Sequence, residues 1–489
     1  MKQRKELLAE LYISTDDKLY YLTYFVSADQ FFNLMKGKDE NQVLIEERIN
    51  KLAKIDRILE LINKRNALYE SEIADLKSQK QELGQKLVLL AMEIQTKQNL
   101  LETTDLKAFN LQNYLISLKK MNALLERDFV GWNVAEGDDF VFIGGGTEHG
   151  IGMSQHGAAG LARLGKNYKE ILEYYYQNTK VKAKSDPNGR IKVWLRSASP
   201  SGGKICPKDE NSSILVGEKK VKGCVSVSPS TVPKVPKKII IAPIAPNSTL
   251  LVKYKNSSYN EYTGKIIVNN ISGQLFTIND VKIETYLKGV VPSEMPHSWP
   301  LEALKAQAVA ARSYAVKHIS AGSLFDIDDT TRNQVYLGKL HEFEETNKAV
   351  QATAGEVVVY GAEIIPTYYH STSGGYTENN ENVWGGRPRP YLRGVPSPWE
   401  ENSPWWLWGT KTFSRQELSD ILAKNEATKV GFLQKIEILN RGISGRVIAI
   451  KLTGSEREVV VTGQTLRQTI NNNQGESNPL FRSILFGVR

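Results

Sequence analysis

Between residues 52 and 94 the apolar positions return every seven residues. Leu52, Leu59, Ile73, Leu87 and Ile94 fill one seam position, and Ile55, Ile62, Tyr69, Leu76, Leu83 and Leu90 fill the other. Asn66 and Lys80 interrupt the frame, as register-setting polar residues do in a coiled coil. The pattern predicts a long helix that pairs with another, an ordinary helical bundle being the alternative. The frame continues through Leu101, Leu111, Leu115, Leu118 and Leu125, with cap-like residues in "ETTDL" at 102–106 able to divide it into two helices.

After Gly131 the texture changes to glycine-rich and alternating segments. Residues 186–190 read as a turn, and "IKVWLRS" after it alternates like a strand. "GKIIVNN", "QLFTIND" and "RVIAIKLTG" are further strands, and the proline-punctuated run around Ile239 and Ile241 reads as an edge strand. The expected architecture is therefore a helical coiled coil over residues 1–130 followed by an α+β domain over residues 131–489.

One stretch, "GVVPSEMPHSWPLEALKAQAVAARSYAVKH" at 289–318, combines stiffness with a lone acid. Pro292 and Pro296 fix two φ angles around Glu294, so its carboxylate is positioned by a tight turn. Ser298 reads as the N-cap of a helix with Pro300 in its first turn and Glu302 near its positive end. Ala303, Ala306, Ala310 and Ala311 suit close packing, with Gln307, Arg312 and Tyr314 embedded among them. On local chemistry alone, Glu294 capping a turn and Arg312 serving a structural ion pair is the alternative to a functional role.

The chain has 489 residues, 41% of them hydrophobic, which suits two or three globular domains. A net charge of +9 favours a polyanionic partner such as nucleic acid, anionic lipid or a bacterial wall polymer without choosing among them. No run of about 18 apolar residues and no signal peptide is visible, and "KQRKELLAEL" after Met1 taken literally points to the cytoplasm. Cys206 and Cys224 point the other way. They lie in one polar stretch with no histidine between His156 and His297 to complete a metal site, so a disulfide is expected, with two unpaired thiols the alternative.

"VPSEMPHSWPLEALKAQAVAARSYA" closely resembles the signature of the stage II sporulation protein D (SpoIID/LytB) family, whose members include lytic transglycosylases acting on peptidoglycan. Segments 367–395, 459–470 and 144–176 ("GGGTEHGIGMSQHGAAGLARLGKNYKEILEYYY") resemble the same family, so the likeness runs from about 140 to 489. In the family the glycine- and histidine-rich segment follows the other motifs. Here it precedes them, and the chain stops at "LFRSILFGVR", where that segment is expected; a circular permutation is inferred, with residues 131–182 as the moved piece and 190–489 as the remainder. A separately copied fragment is the alternative. Thr147 and Glu148 also depart from the compact Gly-His-Gly spelling around His149. Upstream, "YFVSADQFFNLMKG" resembles the short helix of coiled-coil modules in secreted peptidoglycan hydrolases, which together with the missing signal suggests a truncated start.

The resemblance implies that Glu294 is the catalytic residue of a peptidoglycan lytic transglycosylase. It would protonate the glycosidic oxygen and then take the proton of the sugar's 6-hydroxyl, leaving a 1,6-anhydro end. Burial among Val291, Met295 and Trp299 would hold its proton near neutrality. Arg312, His370, Ser371, Ser373, His149, Ser154 and Gln155 are the expected substrate-binding residues, hydrogen-bonded turns without a ligand being the alternative for the two polar clusters. Trp384, Tyr391, Trp399, Trp405, Trp406 and Trp408 could stack on sugars or anchor the core. No cofactor is implied, and no thiolate zinc site, since no cysteine stands near the histidine–serine segment. The implied partners are peptidoglycan glycan strands and a coiled-coil partner or membrane-associated regulator, in an extracytoplasmic setting; nucleic acid explains the charge and none of the motifs. A different class of function stays open: a non-catalytic wall-binding module that stimulates a separate peptidoglycan hydrolase.

Overall fold

The computed structural model describes residues 128–196, 203–209, 211–234, 238–245, 248–254, 259–400, 403–474 and 480–489. The chain divides into two compact units, residues 1–104 and 105–489, and every described residue belongs to the second. The heptad frame, and with it the expected coiled coil, lies outside the described residues.

The described part is an α+β assembly of mixed sheets and helices. Its largest sheet has seven strands, built outward from the hairpin Lys265–Ile271 and Gln274–Lys282. Ser272 and Gly273, both at positive φ, make the two-residue turn between them, the geometry that matches the natural twist of paired strands. The expected strand at 191–197 is present as Arg190–Trp194, paired to the hairpin through Ile278 and Trp194. Lys238–Pro243 is a strand, yet not at an edge. Ile239 pairs with Val268 on one side and Ile241 with Val216 on the other, because the strand's own proline stands at its last position and leaves the ladder intact. Cys206, in the strand Gly203–Pro207, forms the expected disulfide with Cys224 and so closes the hairpin Ser213–Val216 and Lys219–Lys222.

Four helices position the site: α1 (Gln155–Arg163), α2 (Tyr168–Tyr175), α3 (Ile283–Glu294) and α4 (Leu301–His318). Alanine at 303, 306, 308, 310, 311 and 315 lets α4 be buried on nearly every side. Ala308, Ala311 and Ala315 pack with Tyr286, Leu287 and Val290 of α3 against the large sheet. Ala303, Ala306, Val309 and Ala310 face a second core with Ala158 and Leu161 of α1 and Ile171 and Tyr175 of α2. A third core forms under the strands Leu433–Arg441 and Val447–Gly454, capped by Phe140, Phe142 and Phe481.

Two local expectations are corrected here. Ser298 is exposed and does not cap α4; Pro300 is the cap residue and the helix begins at Leu301. Glu294 is not in a free turn but is the last residue of α3, whose final turn accommodates Pro292. A proline there has no N–H to give the carbonyl four residues before it, so the last turn of α3 forgoes one intrahelical bond.

Candidate functional site

The segment 144–176 is knitted onto residues 368–372. Strand Met153–Ser154 pairs in parallel with Tyr369–His370, Thr147 N donates to Thr372 O at 2.8 Å, and His156 N to Ser371 O at 3.0 Å. The glycines are what permit this approach. A Cβ at Gly150, whose φ is 69°, would meet Arg446 Cζ at 2.2 Å, and one at Gly152, φ 72°, would meet Tyr368 O at 2.1 Å. Nearby, Phe486–Val488 pairs with Asp139–Gly145.

Glu294 lies beside this junction, half-buried at the end of α3. Its Oε1 accepts from Val335 N at 2.7 Å, and the Tyr369 hydroxyl donates to the carboxylate. Behind Tyr369 runs a buried relay. Gln334 Nε2 donates to the Tyr369 hydroxyl at 3.1 Å, and Tyr286 donates to Gln334 Oε1 at 3.1 Å. Burial pushes the Glu294 carboxyl up to about 7 against the pull of the Val335 amide; the nearby Glu148 carboxylate pushes it further, and the Tyr369 bond opposes. The negative end of the α3 dipole acts in the same raising direction. Near pH 7 this residue is therefore shared between its acid and ionised forms, where an ordinary glutamate would be ionised.

A run of aromatic contacts leads from Tyr314, a neighbour of the acid, through Tyr368 to Trp384. Trp384 is exposed, with its ring centroid 5.0 Å from His149 and 4.6 Å from Tyr368, and Tyr368 is 5.8 Å from Tyr314. Trp299 meets His156 edge-on at 4.7 Å. One exposed indole backed by partly buried rings suits stacking against a sugar face. Of the tryptophans, Trp399, Trp406 and Trp408 are buried, as is Tyr391, and Trp405 carries the Arg482 guanidinium on its ring; these anchor the fold.

The residues expected to bind substrate separate into two groups. His149, His370 and Ser371 converge on the junction: the two imidazoles are 5.7 Å apart. His149 Nδ1 accepts from Ile151 N at 3.0 Å, which leaves the ring proton on Nε2, bonded to the Tyr369 carbonyl; burial and then the charge of Arg446 lower its pKa to about 3, so it is neutral. His370 is buried, bonded at 3.2 Å between Nδ1 and Ile151 O, with Nε2 unpartnered. Ser371 is half-buried.

The others serve the scaffold. Arg312 is fully buried, its Nε and Nη2 each 2.7 Å from a Glu284 oxygen, with Glu356 O and Val350 O taking further donors. Glu284 is ten residues before Glu294, about 15 Å away along α3, so Arg312 belongs to a structural ion pair and not to a sugar site. Ser154 is buried and caps α1 by accepting from Gly157 N. Gln155 is buried against Gln307, at 3.4 Å between the amides. Ser373 is buried with its hydroxyl 2.7 Å from Glu400, which also accepts from Ser373 N and Gly374 N. The hydroxyl-rich run 370–375 is therefore folded around a buried carboxylate.

Glu148, Tyr369, Gln334 and the Val335 amide were not singled out as site residues by the sequence. Glu148 was visible only as a departure in spelling. Among the described residues no three histidine, cysteine or acidic side chains gather as a metal would need, and no helix is long and apolar enough to cross a membrane.

Residues 272–360, which contain Glu294 and Val335, match the family model described as Stage II sporulation protein (SpoIID). Part of the chain is thus similar in sequence to SpoIID and amidase-enhancer proteins. An uncharacterized protein of Brachyspira hyodysenteriae is 38% identical over 216 residues, 43% of this chain and 56% of the relative. Stage II sporulation protein D of Bacillus subtilis is 33% identical over 206 residues, 39% of this chain and 52% of the relative. The Amidase enhancer of Bacillus subtilis is 43% identical over 132 residues, 27% of this chain and 17% of the relative. The chain thus spans about half the length of the first two relatives. The SpoIID match stops before His370 and omits Glu148 and His149.

Proposed function

We propose that this chain binds peptidoglycan glycan strands at the Glu294 site and promotes breakdown of the wall by stimulating a separate peptidoglycan hydrolase. The observation that carries the stimulating role is the relative named an amidase enhancer, 43% identical over 132 residues; the exposed Trp384 beside His149 and Tyr368 supports glycan binding. Stimulation is tested by adding the full chain to a purified wall amidase on peptidoglycan sacculi and following release of stem peptides. An unchanged rate refutes it.

A second reading rests on the proton of Glu294. As a lytic transglycosylase, the site would pass that proton to the glycosidic oxygen as the bond to the anomeric carbon breaks. The sugar's 6-hydroxyl oxygen then bonds to that carbon and returns its proton to Glu294, so one carboxyl serves both steps. Glu294→Gln should slow release of fragments by at least about a hundredfold, and the native fragments should carry 1,6-anhydro ends. Reducing ends would instead mean that water is the acceptor, and no fragments at all would leave only the stimulating role.

The surrounding organisation follows from the same reading. Residues 131–182 and 190–489 form one circularly permuted domain, supported by the parallel pairing of Met153–Ser154 with Tyr369–His370 and by the Phe486–Val488 strand beside Asp139–Gly145. A chain in which residues 131–182 are moved to follow Arg489 should fold and bind glycan; failure to fold refutes the permutation. The protein works outside the cytoplasm, supported by the Cys206–Cys224 disulfide. Its heptad segment docks on a coiled-coil partner or a membrane-associated regulator, and monomeric sedimentation of the full chain with no partner recovered by crosslinking in the envelope would argue against that.

A further inference from the structure

Residues 203–265 carry eleven lysines, no arginine and four acidic residues, a net +7 out of the +9 of the whole chain. They lie outside the family match at 272–360. Gly203–Pro207, Val225–Val227, Thr249–Tyr254 and Asn260–Thr263 form a four-stranded sheet, and Ser213–Val216, Lys219–Lys222 and Lys238–Pro243 form the outer end of the seven-stranded one. The Cys206–Cys224 disulfide, with Cα atoms 4.1 Å apart, holds cations together here. Lys204 and Lys208 stand two positions either side of Cys206, and Lys222 two positions before Cys224, each about 7 Å along the chain from the crosslink. Lys204 also pairs directly across from Lys253, an arrangement of like charges that weakens a sheet. Among the described residues of this region, Lys208 is the one lysine in an ion pair. Lysines on an edge strand guard a sheet against pairing with another chain, which accounts for Lys219–Lys222. It does not account for Lys204 and Lys253, whose strands are paired on both sides.

A cleft of about 580 Å³ opens where the two sheets meet. Pro207 and Thr249 line it from one sheet, Ser213, Lys220 and Pro243 from the other, and Lys208 stands at the junction. Lys208 Nζ is 2.9 and 3.2 Å from the two oxygens of Glu261, which is buried and also accepts from Thr249 Oγ1 at 2.6 Å. An ammonium has three hydrogens, so this anchoring fixes Lys208 and leaves one for the cleft. Lys220 is exposed and free of any ion pair among the described residues. One exposed acid, Asp209, also lines the cleft, its Oδ1 taken by the Asn211 amide at 3.1 Å.

We propose that this basic region is a second binding site, for an anionic envelope polymer that carries single phosphate groups along a flexible, hydroxylated chain. Lysine meets a phosphate as a point charge, whereas planar, bidentate recognition calls on arginine, which is absent here. The serine and threonine hydroxyls supply further donors to phosphate oxygens. The disulfide within the patch argues for an oxidising compartment and so against nucleic acid. Ile244 is the one exposed large apolar side chain among the described residues of the region, which gives a bilayer little to take up.

The test measures binding of the full-length, oxidised chain to poly(glycerol phosphate) and to phosphatidylglycerol vesicles, at low and high salt. The native chain should bind the polymer, and more weakly as salt rises. Lys220→Glu should weaken that binding at least about tenfold. Lys238→Glu makes the same change of charge at the far end of the strand that finishes at Pro243, about 17 Å from the cleft, and should weaken it less than about threefold. Both lysines are exposed, so both variants should melt as the native protein does. These readouts do not involve Glu294 or Trp384, and failure of glycan binding there leaves them unchanged. No binding of the polymer by the native chain, or equal losses in the two variants, overturns the proposal. Vesicles bound in preference to the polymer also overturn it and assign the patch to a membrane surface.

Discussion

Replacing Glu294 by glutamine should change how stability depends on pH, whatever the site does to a ligand. The folded-state pKa is about 7 against an ordinary value of 4.5. A carboxyl whose folded pKa is raised contributes stability that is present below the unfolded pKa and is lost as pH rises through the folded one. At about 1.4 kcal/mol per pH unit, burying the ionised form costs about 3 kcal/mol above pH 7 and nothing near pH 4. Glutamine keeps the oxygen that accepts from Val335 and cannot ionise. Glu294→Gln should therefore match the native protein in urea unfolding at pH 4 to 4.5 and exceed it by about 3 kcal/mol at pH 8. The difference should open between those limits. Two parallel curves across this window would refute the claim that Glu294 is held protonated by its setting, and a larger advantage at low pH would reverse its sign.

Arg312→Met should destabilise the fold by about 3–5 kcal/mol by leaving Glu284 without its buried partner, and protein that remains folded should bind glycan as before; a selective loss of binding would return Arg312 to the site. Replacing Cys206 and Cys224 by alanine should cost about 3 kcal/mol for the 18-residue separation they close, and native protein recovered from the cell envelope should take up alkylating reagent only after reduction. Gly150→Ala should destabilise by about 2 kcal/mol or more, because its Cβ would sit 2.2 Å from Arg446 Cζ at a backbone with φ 69°; a neutral effect would mean that the segment 144–176 is not packed against Arg446.

Much of the sheet was legible in the sequence because alternation over a few residues is a local signal. The runs at 264–270, 274–280 and 446–454 all became strands, and the two-residue turn at Ser272 and Gly273 joins the first pair. Proline misled at three places for related reasons. Pro243 suggested an edge although it only ends its strand, Pro292 suggested a turn although a helix tolerates it in its last turn, and Ser298 looked like the cap that Pro300 provides. Glu294 stood out in the sequence, but its setting did not, since Val335 and Tyr369 reach it from 41 and 75 positions along the chain. The same distance problem hid the fates of Arg312 and Ser373. Their partners, Glu284 and Glu400, are 28 and 27 residues away, and nothing in the local spelling distinguishes a guanidinium or hydroxyl meant for a sugar from one taken by a buried carboxylate. Glu148 became a neighbour of Glu294 only when segment 144–176 folded back onto the strand at 369–370.

The central claim, that the Glu294 site takes peptidoglycan glycan, is tested most directly by the affinity of purified, stem-peptide-free glycan strands for the full chain and for Trp384→Ala. Trp384 is exposed beside His149 and Tyr368 and supports none of the three cores. The native chain should bind, and the variant should bind at least about tenfold more weakly, the equivalent of about 1.4 kcal/mol from one lost stacking face. Equal affinity for both forms, or no binding by the native chain, would contradict the assignment of this site.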